Sequence, residues 1–600
     1  MISTIDWIII GGFFVISLII GLLSMKQSGK SSAEFFLSGR NMPWWLLGVS
    51  MVATTFSADT PNLVTELVRT GGVAKNWAWW AFLITGMFTV FIYAKFWRRS
   101  NVLTDLEFYE MRYGGKSAAF LRGFRAVYLG LFLNVMIMAI VCVAATKLGS
   151  ILLGWSAGTT LLITCSITVL YSGLGGLRGV IITDFFQFII AMVGSVWAAI
   201  VILDLPQVGG LEGLISHSAV IPALDMIPNV MDGNDINETF IALLIIPLAV
   251  QWWSSWYPGA EPGGGSYVAQ RMLAAKNENH AVKATLFFNI AHYAIRPWPW
   301  IIIALASMIV FPTVADISLA FPDARAQMGE DIAYPAMLTL LPKGLLGLVL
   351  ASLIAAFMST ISTHLNWGAS YMVNDIHGRF INPGASEKEK VWVGRIATFV
   401  LMGLAVLMSF AIDSAKEGFN LLLQIGAGTG LIYLLRWFWW RVNVWSEISG
   451  MLIASVVAIA LALMTKDWGN GNIILDLSDG TKLVTGTLIT TIGWIVITLL
   501  TKPTDKDVLQ NFYDKIQPYG KGWRNVVSQE SFEKKKSSSL TIDVVCVFVA
   551  CIMVYSFLLG TGKLIYGQLS FGLALIGLGV VSAFVMWKLY FARNDSDQKV

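Results

Sequence analysis

The chain is poor in charge. Of its 600 residues only 13% are Asp, Glu, Lys or Arg, against 56% hydrophobic, where a soluble globular chain carries about a quarter charged residues. No stretch between the apolar runs is long enough for a soluble domain, so soluble enzyme classes are excluded. A formal charge of +4 is too small to point to nucleic acid as a partner. Cysteine is scarce too, and Cys142, Cys165, Cys546 and Cys551 all fall inside apolar runs, where they read as small core hydrophobes and not as a disulfide framework. His217, His280, His292, His364 and His377 show no HExxH or similar metal spacing, and there is no GxxxxGK[ST] phosphate loop to drive a pump. The expectation is a protein that is not an enzyme and holds no catalytic cofactor. MISTIDWIII lacks the basic start and small-residue cleavage site of a signal peptide, so the first apolar run is expected to remain as a span.

What is present is apolar length. About fifteen runs of about 20 residues recur between residues 7 and 591, which predicts an all-α polytopic membrane protein. Basic residues set its orientation. With the N-terminus outside, the cytoplasmic loops hold Lys26, Lys30 and Arg40, then Lys95, Arg98, Arg99, Arg112 and Lys116, then Arg271 and Lys276, then Arg436 and Arg441, and the lysine-rich segment at 502–539. The loop from Leu205 to Glu238 has no Lys or Arg. That bias predicts a multi-pass protein of the cell membrane with N-terminus outside, C-terminus cytoplasmic and an odd span count. The external loops at 204–237 and 313–343 are expected to cover part of the outer mouth.

The second run, GVSMVATTFSADTPNLVTEL, breaks down in its middle at Ser57, Ala58, Asp59, Thr60, Pro61 and Asn62. An ionisable residue inside a span is a functional-site hypothesis. A proline-interrupted helix at that depth is viable only where it faces protein or a watery cavity. Five spans later, from Phe240, FIALLIIPLAVQWWSSWYPGAEPGGGSYVAQRM is again apolar and then comes apart at Pro258, Gly259, Pro262, Gly263, Gly264 and Gly265. Interrupted segments in corresponding positions of two five-span halves point to an inverted-repeat transporter. The expected organisation is an N-terminal span and cytoplasmic loop (1–43), a first repeat half (44–203), an extracellular loop (204–237), a second half (238–442) and accessory spans (443–600) with the basic loop at 502–539.

The ninth run, ASLIAAFMSTISTHLNWGASYMVNDI, places Ser359, Thr360, Ser362 and Thr363 in little over one turn. Such hydroxyls commonly bond back to their own helix, but four within five residues exceed that need. Ser359, Ser362 and Thr363 share a face, and Thr360 is turned about 100° away. Hydroxyls plus the freed carbonyls of a broken helix suit a small hard cation, which takes oxygen ligands. Asp184, in the sixth run, is a candidate for the balancing carboxylate, the alternative being an interfacial or helix-terminal Asp.

FFLSGRNMPWWLLGVSMVATTFSA, YSGLGGLRGVIITDFFQ, SYVAQRMLAAKNENHA and AAFMSTISTHLNWGASYMVNDI together resemble the sodium/solute symporter family, the group of the sodium/glucose, sodium/proline and sodium/sialic acid symporters. The resemblance implies a leucine-transporter-like five-plus-five inverted repeat with one extra N-terminal span and about four extra C-terminal spans, working by alternating access. It implies a sodium site made of the backbone carbonyls of Ala53, Phe56 and Ala356 with the side chains of Ser359 and Thr360. A second site, found in some members, is matched by Asp184, Ser359, Ser362 and Thr363, giving two sodium ions per cycle. The expected partners are a small-molecule solute, sodium ions and the lipid bilayer, with no nucleic acid and no obligate protein partner.

By position, the solute pocket is expected to draw on Ser57, Asp59, Thr60 and Asn62 of the second span, Trp77 and Trp80 of the third, Gln251, Trp252, Ser255, Trp256 and Glu261 of the seventh, His292 and Arg296 of the eighth, and Gln424 of the eleventh. Aromatic faces with convergent polar groups suit a sugar or other polyol. Trp also fills cores and anchors helices, so packing is an equal reading for each. Arg296 lies in an apolar run and needs a partner, either Asp59, Glu261 or an anionic solute. His292 aligns with a basic solute-binding position of bacterial sodium/sugar relatives, whereas the PGAEPGGG segment is longer than theirs. The expected function is sodium-coupled symport of a small polar solute, a sugar or sugar derivative, with an anionic organic solute as the alternative and a transporter-like sensor as the remaining class.

Overall fold

The computed structural model describes residues 2–593 except 233–234, 254–261, 323–328, 411–425, 427, 466–473, 525, 530–531 and 533–539. Among the described residues 11 helices are long and apolar enough to cross a membrane. They are the first span (Thr4–Ser28), third (Val73–Ser100), fourth (Gly115–Leu153), sixth (Gly175–Leu203), eighth (Glu278–Val310), ninth (Leu345–Ile381), tenth (Glu387–Ser409), twelfth (Val444–Met464), thirteenth (Gly480–Leu500), fourteenth (Leu540–Ile565) and fifteenth (Leu569–Ala592). Three shorter apolar helices, Trp44–Thr55, Ala157–Gly173 and Glu238–Ala249, stand where the second, fifth and seventh spans are expected. Most of the eleventh expected span lies outside the described residues. The described strands are limited to a two-residue antiparallel pairing, Met231–Asp232 with Asp235–Ile236.

The fifth and sixth spans run on as one helix of 47 residues, about 70 Å at 1.5 Å per residue, which is far longer than the hydrocarbon core. Gly176 resolves this: at φ 56°, ψ −165° it turns the chain in a region that a side chain resists. The turn is pinned by the Ser28 hydroxyl, which donates to the Gly175 carbonyl at 2.6 Å.

The ninth span is the axis of the bundle, packing against the first, second, fourth, sixth and tenth. Its start is held by the first span. Asp6, fully buried, accepts the N–H groups of Gly344 and Gly347, both at 2.7 Å, two donors that a helix N-terminus leaves unpaired. The fourteenth span packs against the third and eighth. It is fastened to the third by the Lys95–Asp543 ion pair at 2.7 Å and by the Tyr555 hydroxyl, which donates to the Trp80 carbonyl at 2.9 Å.

Ion pairs tie down both ends of the bundle. On the expected outer side, Arg69 pairs with Glu330 at 2.6 Å and donates to the Phe311 carbonyl, while Lys147 pairs with Asp331 at 2.8 Å. Glu330 and Asp331 are thereby bound to the ends of the second and fourth spans, and Arg69 ties the second span to the end of the eighth. At the other end, Arg122 meets Asp375 at 2.6 Å and Glu110 at 2.8 Å, and Glu110 also pairs with Arg379. Partial burial of Glu110 raises its pKa, but hydrogen bonds from Arg379 and Arg122 more than offset this and hold it below the usual carboxylate range.

Two expectations about basic residues change here. Arg112, Arg271 and Arg436 count as cytoplasmic loop charges by their place in the sequence, yet all three are fully buried. Arg112 donates to the carbonyls of Arg436 and Trp439 and sits 5.0 Å from the Trp523 ring. The segment 502–539 is also more than an orienting basic loop, because its helix Lys506–Ile516 buries Leu509, Phe512 and Tyr513 against the bundle.

Asp6→Ala strands the two glycine N–H groups in an apolar setting and is expected to cost about 2 kcal/mol, read as a lowered thermal unfolding midpoint of the purified protein. Asp6→Asn, which keeps an acceptor, is expected to lose less.

Candidate functional site

The second span breaks where its sequence turns polar. The helix Trp44–Thr55 ends at Phe56 (φ −93°, ψ 87°), and a second helix, Thr60–Gly71, begins with Pro61 in its first turn. Proline suits that position because its missing N–H has no partner to lose there. The gap closes on itself: the Ser57 N–H donates to Thr60 Oγ1 at 3.2 Å, and the Thr60 N–H to the Ser57 carbonyl at 3.1 Å. The Phe56 N–H reaches both the Val52 and Ala53 carbonyls.

One carbonyl at this break, that of Thr54, meets the ninth span. Thr360 donates across to it at 2.9 Å. Ser359 does not bond back to its own helix either; it donates to Asp184 Oδ1 at 2.7 Å, and Ser50 of the second span donates to Asp184 Oδ2 at 2.5 Å. Asp184 thus joins the sixth span to both others. Ser362 is turned onto its own helix, donating to the Ser359 carbonyl at 3.1 Å. Thr363 lies 3.1 Å from Thr54 Oγ1 and accepts 2.7 Å from Arg271 Nη2. Ala53, Phe56, Ala356, Ser359, Thr360, Ser362, Thr363 and Asp184 are all buried. The hydroxyl-rich turn of the ninth span and the break of the second therefore meet at one crossing, through Thr360 and the Thr54 carbonyl.

Beyond the break of the second span, a cluster of polar groups is buried without hydrogen-bond partners among the described residues. Among the described residues Ser57 Oγ, Asp59 Oδ1, both amide atoms of Asn62, Thr65 Oγ1 and Arg296 Nε have none. A buried polar atom left unpaired costs about 1–3 kcal/mol, so a cluster of them beside a helix break is what a polar ligand would satisfy. His292 and Arg296 come together, 3.4 Å apart, and both bond Thr55 Oγ1, at 3.0 and 3.2 Å. The Arg296 guanidinium also stands 5.4 Å from the Trp300 ring, itself stacked on Phe56 at 5.0 Å. Asp59 and Arg296 form no ion pair, and no described carboxylate lies within ion-pair distance of Arg296.

The tryptophans divide differently from expectation. Trp77 donates its Nε1–H to the Met226 carbonyl of the external loop and packs against Trp80 and Tyr555, so its polar edge is already used. Trp79, which the sequence reading passed over, stands 5.5 Å from His292 and stacks on Tyr293. Trp252 stacks on Phe88 at 5.4 Å. Ser255, Trp256, Glu261, Gln424 and the side chain of Gln251 lie outside the described residues. Arg271, Ser50 and Thr54 were also missed. Ser50 and Thr54 sit at i, i+4 in an apolar helix, a spacing that signals a shared face; for Arg271 the signal is a lone arginine inside the otherwise uncharged run YVAQRMLA.

A broken helix crossed by a hydroxyl-lined helix at the centre of an apolar bundle is the build of a secondary transporter. A model of the sodium:solute symporter family matches residues 35–454. The Danio rerio sodium/glucose cotransporter 4 is 27% identical over 491 residues, covering 76% of this chain and 71% of the relative. The Vibrio parahaemolyticus sodium/glucose cotransporter is 26% identical over 482 residues, 77% of this chain and 85% of the relative. Among solved structures, a sodium-coupled sialic acid symporter in a substrate-bound outward-open state superposes with a TM-score of 0.68 at 21% identity, covering 84% of this chain and 99% of that one. The chain belongs to the sodium:solute symporter family. It is a multi-pass membrane protein with the leucine-transporter-like five-plus-five inverted repeat, carrying extra spans before and after the repeat, and it is a transporter and not an enzyme.

Ser359→Ala removes the hydroxyl shared by both expected sodium sets and one donor to Asp184. Sodium-coupled uptake in proteoliposomes is expected to fall about tenfold or more, from the loss of a bond to a charged group worth about 1.5–3 kcal/mol, with the unfolding midpoint showing that the protein is folded. Full retention of coupled uptake would remove both assignments.

Proposed function

We propose that the protein is a sodium symporter importing a sugar or sugar derivative, with its N-terminus outside and its C-terminus in the cytoplasm. The observation that carries the solute class is the set of unpaired polar groups at the break of the second span, Ser57, Asp59, Asn62 and Thr65, facing an aromatic-lined eighth span. Hydroxyl, amide and carboxyl groups beside ring faces suit a polyol, whose hydroxyls both donate and accept and whose C–H face lies on an aromatic ring. Names among the relatives, sodium/glucose cotransporters, support the same reading.

Sodium is assigned to the carbonyls of Ala53, Phe56 and Ala356 with the Ser359 and Thr360 side chains. An ion there adds a second tie to the one Thr360 already makes with the Thr54 carbonyl, and so holds the broken second span against the ninth. That fixes Ser57 to Asn62, the solute side of the same break. By linkage the solute must then strengthen sodium binding by the same factor. One sodium moving down the membrane potential supplies about 2.3 kcal/mol per 100 mV, plus its concentration gradient.

An anionic solute, a sugar acid or small carboxylate, is the second reading. Arg296 favours it, being fully buried with no described carboxylate within ion-pair distance.

Uptake by proteoliposomes under an inward sodium gradient, tested against neutral sugars, uronates and amino acids, is expected to show sodium-dependent accumulation of a neutral sugar, lost when choline replaces sodium. Arg296→Gln separates the two readings. If it abolishes uptake of an anionic solute that the wild type accumulates and neutral solutes are not carried, the second reading replaces the first.

A further inference from the structure

Asp184 is fully buried, and its surroundings already include a cation. Arg271, also fully buried, places Nη2 3.8 Å from Asp184 Oδ2. The same nitrogen donates to Thr363 Oγ1 at 2.7 Å and to Thr54 Oγ1 at 3.4 Å, while Nε donates to Ser50 Oγ at 3.3 Å and Nη1 to Gln270 Oε1 at 3.1 Å. Of the four side chains that the family resemblance offers for a second sodium ion, Asp184 and Thr363 therefore face the guanidinium. Ser359 is turned onto Asp184, and Ser362 onto its own helix.

Charge decides what this arrangement permits. Asp184 and Arg271 sum to zero, so a sodium ion added beside them would leave one uncompensated positive charge in a dry interior, which proteins avoid by pairing or by moving one of the charges. Both cations want the same carboxylate and the same Thr363 oxygen. They cannot share them.

We propose that Arg271 and a second sodium ion are mutually exclusive occupants of Asp184. The guanidinium is a tethered cation that holds this position when sodium is not there, and the second ion binds only as Arg271 leaves. The proposal rests on the sodium-symport reading of the same crossing. It also gives the exchange a mechanical effect. Arg271 follows the break of the seventh span, in the second repeat half, whereas Asp184, Ser50 and Thr54 belong to the first half, so the guanidinium ties the halves together and sodium releases that tie.

The test is equilibrium binding of radioactive sodium to the purified full chain in lipid nanodiscs, with choline holding ionic strength. The Asp184-dependent component is wild-type binding minus that of Asp184→Asn. Arg271→Gln keeps a hydrogen-bond donor for Thr363 but removes the competing charge, and is expected to tighten the Asp184-dependent component tenfold or more. The Asp184→Asn/Arg271→Gln double variant is expected to lose that gain. An unchanged or weaker component in an Arg271→Gln protein with the wild-type unfolding midpoint would overturn the proposal. A measurement on the wild type covers the case in which that variant does not fold: labelling of Arg271 by phenylglyoxal, read by peptide mass spectrometry, is expected to rise with sodium, and no change or protection would overturn it. Sodium binding with no Asp184-dependent part in either protein defeats this inference alone. Absence of any sodium binding to the wild type defeats the symport reading as well.

Discussion

A helix that breaks inside a membrane must have its freed carbonyls held by something other than lipid, and here one hydroxyl does the holding. The bond from Thr360 to the Thr54 carbonyl joins the broken second span to the ninth, the most centrally packed helix of the bundle. Around that crossing the other parts take their places. Asp184 brings in the sixth span through Ser50 and Ser359, Asp6 fixes the start of the ninth, and Arg296 and His292 brace the last turn before the break through Thr55. The interruption is thus supported from the sixth, eighth and ninth spans, and this support is what lets polar atoms sit at that depth.

Several buried charges are held in pairs. Arg122 with Asp375, Lys95 with Asp543 and Arg125 with Glu447 each bring opposite charges within 3.2 Å in protected settings. Such pairs add little net stability, since desolvation offsets the attraction, but losing one partner is costly. They fix which helices move together more than they hold the protein folded. Arg296, held by a carbonyl, a hydroxyl and an imidazole in place of a carboxylate, departs from this pattern, as does Arg112, which donates to carbonyls.

Much of this was legible in the sequence, and the reasons are local. Apolar runs marked fourteen of the spans, and Asp59 with Pro61 marked the break because neither belongs in a lipid-facing helix. The spacing of Ser359, Thr360, Ser362 and Thr363 marked a hydroxyl cluster, but Thr360 does not stand apart from it, because Thr360 and Thr363 both meet Thr54. What stayed hidden depends on contacts distant in sequence or on helix phase. Arg271 and Asp184 are 87 positions apart, and nothing near either names the other. The positive-inside rule counts Arg112, Arg271 and Arg436 by position alone, so it cannot tell a solvated arginine from one buried on carbonyls and rings. Trp77, Trp79 and Trp80 fall within one turn, and the third span opens with a tighter turn over Val73–Asn76, which shifts the phase by which one would choose among them.

The fastening of the fourteenth span to the third carries a consequence for the bilayer. Lys95 with Asp543 and Tyr555 with the Trp80 carbonyl make the two helices one body, and the fourteenth in turn packs closely with the fifteenth. Phe548, Ile552, Val581 and Phe584 on the outside of that pair are 47–61% exposed, a surface that meets acyl chains. Any tilt of the third span therefore sweeps a broad greasy flank through the surrounding lipid. Whatever moves that pair must displace acyl chains, so the thickness and stiffness of the bilayer bear on where the pair comes to rest.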